Sequence, residues 1–186
     1  MTNIYPIPFN KDFYDDLTKN LSDKKVYDAV YKKYSFTKTV ILVKILHPKR
    51  KFLLDELSDW LLANSLIEKL LEFHEVQKIK SNGSLGIFVT DKNEVAINFA
   101  KDLQDNLSDN FNISIGLCRG NVLLFDLQKE GWEIAGGPVN VASKIAEDSG
   151  VVNKILIEES VKLPKNIKGE NFKFEISHIE ISGVAI

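Results

Sequence analysis

Cysteine is almost missing from this chain, Cys118 being the only one. A lone thiol cannot close an intramolecular disulfide, so a disulfide-built extracellular scaffold is excluded and a cytoplasmic protein is expected. Long apolar runs are missing too: no stretch approaches the roughly 18 residues that would cross a bilayer. Met1 to Pro8 offers neither a basic leader nor an apolar signal core, so neither export nor a membrane partner is expected. Charge of one sign is not in excess. Lys and Arg total 24 against 26 Asp and Glu, a net charge of -2 that gives no general attraction to nucleic acid or anionic lipid. The histidines His47, His74 and His178 lack ligand spacing, so no metal centre is read from them. What is present is a 44% hydrophobic content over 186 residues, enough for one core without disulfides or metals.

The apolar pattern changes period along the chain. Residues 10–34 carry Phe13, Leu17 and Leu21, then Tyr27, Val30, Tyr31 and Tyr34, at broken three-to-four spacing. This predicts an amino-terminal helical extension over 1–35, with a second unit over 36–186. From Thr37 a β-branched run ends at His47-Pro48, where proline stops a ladder. Leu57, Leu61, Leu66, Leu70 and Phe73 then predict the buried stripe of a long helix, with Asp55 and Glu56 at its positive end. Two short strands flank Gly83, and Val95, Phe99, Leu103 and Leu107 mark the next helix. Ile113–Cys118 and Val122–Leu127 read as two strands parted at Arg119-Gly120-Asn121. Gln128 to Gly131 form a tip before a short strand at Trp132, and Gly136-Gly137-Pro138 opens a third helix. Lys154–Ile157 and Phe172–Ile181 complete the sheet. This order predicts an α+β, ferredoxin-like sandwich with a mainly antiparallel sheet and helices on one face.

Three segments in order, Val40–Ile45, Lys78–Ser84 and Gly136–Lys144, resemble the class III adenylyl and guanylyl cyclases. The last, Gly-Gly-Pro-Val-Asn-Val-Ala-Ser-Lys, is the most specific, and the resemblance runs from about Thr37 to the end. It implies a head-to-tail dimer with nucleoside triphosphate sites between chains. One chain would give two metal-binding aspartates; the other would give a lysine and an acid that read the base, with an asparagine and an arginine on ribose and phosphate. The chemistry needs both halves, because metal ions neutralise phosphate charge while the cationic side chain stabilises charge that develops in the transition state.

Carried onto this sequence, the two aspartate positions are Lys44 and Ser84. An ammonium about 4 Å from a divalent ion is repelled by roughly 8 kcal/mol at an effective dielectric of 20. The metal-binding half is therefore degenerate and no metal ligand set remains. The resemblance puts Lys80 and Glu133 at the base-reading positions, Asn140 at the asparagine and Lys144 in place of arginine, where it keeps the charge but loses the planar fork. Mg or Mn would be required only beside a metal-competent partner. The expected function is an inactive, dimerising and nucleotide-sensing regulatory domain. The alternatives are the metal-free subunit of a heterodimeric purine or pyrimidine nucleotide cyclase, or a pure protein-interaction scaffold.

Overall fold

The computed structural model describes residues 7–8, 16, 24–126 and 131–186. The expectations at Phe13, Leu17 and Leu21 and at the Gln128–Glu130 tip, with the side chains of Tyr27 and Val30, fall outside the described residues.

In chain order the elements are β1 (Ile7–Pro8), α1 (Lys24–Tyr34), β2 (Phe36–Leu46), α2 (Leu53–Leu71), β3 (Gln77–Ser81), β4 (Leu85–Thr90), α3 (Asn93–Leu107) and β5 (Asn112–Asp126). Then follow β6 (Trp132–Ala135), α4 (Gly137–Ser143) with a wide π turn over Lys144–Asp148, β7 (Lys154–Glu158), β8 (Glu170–Ile176) and β9 (Ile179–Ala185). The sheet order is β3-β4-β2-β5-β7-β9-β8, with β1 and β6 also on β5. Its pairs are antiparallel except β5 with β7 and β1 with β5.

Alternation along β2 builds the two faces. Ile41, Val43 and Ile45 join Ile67 of α2 with Phe99, Leu103 and Leu107 of α3 in one core. Val40 and Leu42 point the other way and pack with Val122, Leu124, Ile134 and Ala142 in a second. The α+β sandwich with a mainly antiparallel sheet is thus present. The long helices α2 and α3 share one face, and the short α4 lies across the other. Its close approach depends on β5: a Cβ at Gly120 would stand 2.8 Å from Pro138 Cγ, and one at Gly116 would stand 2.9 Å from Ile145 Cβ.

Three local expectations are corrected. The break at Arg119-Gly120-Asn121 does not exist, because β5 is continuous and these residues pair with Thr39, Lys38 and Thr37 of β2; Gly120 marks close helix packing, not a turn. The segment Phe172–Ile181 is a hairpin, not one strand, turning at Ser177 and His178 with φ of 51° and 65°. The stripe on α2 is split as well. Leu66 and Leu70 pack on the core, but Leu57, Leu61 and Phe73 are exposed, and the helix buries Asp59, Ala63 and Ile67 instead.

Candidate functional site

Lys44 continues the Val40 and Leu42 alternation onto the α4 face of β2. Its Nζ donates to the Glu147 carbonyl at 3.2 Å, tying the strand end to the π turn. Ser84 begins the return arm of the β3–β4 hairpin, and its carbonyl accepts the Ile45 N–H at 2.8 Å. Asn82 shapes that hairpin: its Oδ1 accepts the Leu85 N–H at 2.9 Å, and Gly83 takes φ of 81°. Trp60 lies beneath the turn, where a Cβ at Gly83 would stand 3.1 Å from Trp60 Cγ.

The two positions expected to have lost their aspartates are thereby brought into one pocket of about 510 Å³, shared with His47, Trp60, Asn82 and Glu147. Its donor set does not fit a divalent cation. Hard cations of the Mg type require carboxylate oxygens in an open shell. Here an ammonium stands on one side and a hydroxyl on the other, while the Glu147 carboxylate is bonded to the Ser143 hydroxyl. His47 donates its Nε2–H to the Gly83 carbonyl at 2.6 Å, and its ring packs edge-on against Phe111. Its Nδ1 is buried without a hydrogen-bond partner among the described residues.

Lys80 on β3 and Glu133 on β6 are far apart in sequence and meet in the fold, with Lys80 Nζ 2.6 Å from Glu133 Oε2. The hydrogen bond from Lys80 holds the Glu133 carboxyl below the usual carboxylate range, against its partial burial and with help from the Ile134 N–H. The pair is half exposed, so its contribution to stability is at most about 1 kcal/mol. Strand β6 runs through Gly136, with φ of 143°, straight into α4. Asn140 is exposed on that helix and Lys144 opens the π turn, partly buried. Neither side chain makes a hydrogen bond or ion pair with a described residue. A π turn widens the helix and recurs where side chains are re-aimed at functional sites.

Sequence reasoning missed His47, Trp60, Asn82 and Glu147. Asn82-Gly83 carries a turn signal that points to the first part of this pocket. Trp60 and His47 carry none, since their place follows from how α2 crosses under the hairpin.

No family model matches the sequence, and no curated protein matches it. Solved structures do match. The non-canonical dimeric guanylyl cyclase domain of the RhoGC fusion protein from the aquatic fungus Blastocladiella emersonii is 21% identical, with a TM-score of 0.70 over 82% of this chain and 97% of that one. The guanylate cyclase domain of RhGC from Catenaria anguillulae, in complex with GTP, is 20% identical, with a TM-score of 0.68 over 82% and 96%. The guanylyl cyclase Cya2 is 13% identical, with a TM-score of 0.68 over 81% and 91%. At these identities the likeness shows the fold.

Proposed function

We propose that this chain, which has the fold of adenylyl and guanylyl cyclase catalytic domains, is a catalytically inactive relative of them that dimerises and senses nucleotides. The observation that carries the reading is the pocket at the end of β2. Lys44 and Ser84, the positions that the resemblance gives to two metal carboxylates, line it, and the Lys44 ammonium is engaged by the Glu147 carbonyl. Without carboxylates no metal ion activates a ribose hydroxyl or neutralises the triphosphate, so the chemistry has no driving group.

The residues of the other half support binding without turnover. Lys80 and Glu133 offer a base edge one cation and one acceptor, held 2.6 Å from each other. Asn140 and Lys144 lie one helical turn apart and offer a carboxamide and an ammonium to ribose and phosphate. In a two-fold dimer that turns α4 toward the partner, each site receives this set from one chain and the Lys44 pocket from the other.

The test is calorimetry with ATP, GTP, CTP and UTP, with and without magnesium. Binding of at least one nucleotide is expected, with affinity changing less than about threefold on adding magnesium, under about 0.7 kcal/mol. A strongly magnesium-dependent affinity would contradict the reading of Lys44 and Ser84. The intact Lys80–Glu133 pair also favours a second reading, in which the chain is the metal-free subunit of a heterodimeric cyclase. Co-expression with a metal-competent cyclase domain distinguishes the two: activity that depends on Asn140 and Lys144 of this chain selects the subunit.

A further inference from the structure

Strand β8 closes one end of the sheet, and among the described residues it pairs with β9 alone. Which of its backbone groups stay open follows from the ladder on the other side of β9. Ile186, the residue after β9, exchanges both backbone bonds with Ile155 at 2.9 and 3.0 Å, and the Ser182 carbonyl accepts the Glu159 N–H at 3.2 Å. Ladder bonds alternate in direction along a strand, so Ile181, Gly183 and Ala185 of β9 turn the other way, toward Phe174, Phe172 and Glu170 of β8. The N–H and C=O groups of Asn171, Lys173 and Glu175 therefore point off the sheet. Such a row is a template for another strand. Side chains alternate as well. Phe172 and Phe174 stack at 5.0 Å on the α4 side beside Ile181, whereas Lys173 and Glu175 stand on the opposite face, 66% and 67% exposed.

We propose that β8 is a self-association edge, pairing antiparallel with β8 of a second copy about a two-fold axis at Phe174. The strand selects that register itself. Centred on Phe174, Lys173 of each chain lies opposite Glu175 of the other, and these are the residues whose open N–H and C=O groups can exchange both bonds. On the other face Phe174 meets its own copy and Phe172 meets Ile176, apolar against apolar. A centre at Lys173 or at Glu175 would set like charges opposite each other, which destabilises a strand pair. One at Phe172 would leave Lys173 facing Asn171 with no charge matched. Within the chain Lys173 meets the exposed Glu180 at 2.9 Å and Glu175 meets the His178 ring at 3.7 Å; the second copy brings each a counter-charge across the new pair. This complementarity of the strand with itself names a second copy as the occupant. The edge lies at the end of the sheet order away from β3, which carries Lys80, so the contact is separate from the nucleotide reading and stands without it.

Disulfide trapping of the full chain in a Cys118→Ala background tests the register. Phe174→Cys puts two thiols directly opposite each other at a non-hydrogen-bonded pair, with Cβ atoms about 4.5–5.5 Å apart. Phe172→Cys puts them four positions apart along the strand, roughly 13 Å, beyond the reach of a disulfide. Under mild oxidation Phe174→Cys is expected to cross-link at least about tenfold faster than Phe172→Cys, and a mixture of Phe172→Cys and Ile176→Cys chains is expected to give the mixed dimer. Equal rates for Phe174→Cys and Phe172→Cys overturn the proposal. Sedimentation at concentrations up to tens of micromolar covers the case in which a phenylalanine variant fails to fold. Glu175→Lys, with its fold checked by circular dichroism, is expected to show a lower average mass than the wild type, and adding Lys173→Glu is expected to restore it. Equal masses of wild type and Glu175→Lys at every concentration overturn the proposal, as does a folded double variant that stays as small as Glu175→Lys.

Discussion

Cys118 shows how a single burial sets chemistry. It is 5% exposed, packed in the α4-side core and facing the Glu158 carboxylate at 3.3 Å. Burial and that negative charge push its thiol up to about 12. Because the folded value is the higher one, stability is full below the ordinary thiol value and is lost as pH rises through it. The expected slope is at most about 1.4 kcal/mol per pH unit above pH ~8.5. Urea melts at pH 8 and 9.5 check this, and Cys118→Ala should abolish the thiol's share of the decline. Glu133 runs with the opposite sign. Lys80 depresses its pKa, so the pair's small contribution is present at neutral pH and is lost as pH falls through the depressed value. An NMR titration of Glu133 is expected to give a midpoint below that of an ordinary glutamate, and Lys80→Met should move it up. A midpoint unchanged by Lys80→Met would mean that the pair does not form in solution.

Among the elements, the β3–β4 hairpin has the most demanding geometry. Gly83 combines a φ of 81° with the Trp60 ring lying where a side chain would start. Gly83→Ala is expected to cost roughly 1–3 kcal/mol, lowering Tm by about 2–4 °C for each kcal/mol. A thermal melt within 1 °C of the wild type would contradict the packing of α2 under the turn. The elements were legible in the sequence where one period and one environment coincide. The β-branched run gave β2, and the stripe Phe99, Leu103 and Leu107 gave α3. Legibility failed where a residue type has two uses. Gly120 sits mid-strand to admit Pro138, and it reads in sequence as a turn. On α2 the leucines at 57 and 61 look like core because apolar spacing cannot say which of two faces meets the sheet; the packing of Ala63 and Ile67 against the sheet decides that, and it is a tertiary contact. At the site, Lys80 and Glu133 were named together from the sequence, and what the fold adds is their ion pair. The pocket around Lys44 needed the hairpin, α2 and the π turn to be placed.

For the whole molecule, the proposed function rests on half-sites. A two-fold dimer of this chain would hold two composite sites, each with Lys80, Glu133, Asn140 and Lys144 from one subunit and Lys44 with Ser84 from the other. The net charge of -2 does not oppose assembly. Restoring carboxylates with Lys44→Asp and Ser84→Asp, and the phosphate fork with Lys144→Arg, is expected to yield weak manganese- or magnesium-dependent cyclase activity. It should be weak because the side chains around the pocket, including Glu147 bonded to Ser143, are not arranged to support metal ligands. The direct measurement is made on the unaltered protein: incubation with each nucleoside triphosphate and magnesium or manganese, followed by mass spectrometry for a cyclic monophosphate. No cyclic product is expected from the chain alone. A cyclic monophosphate that forms with the wild type and disappears with Asn140→Ala would contradict the account.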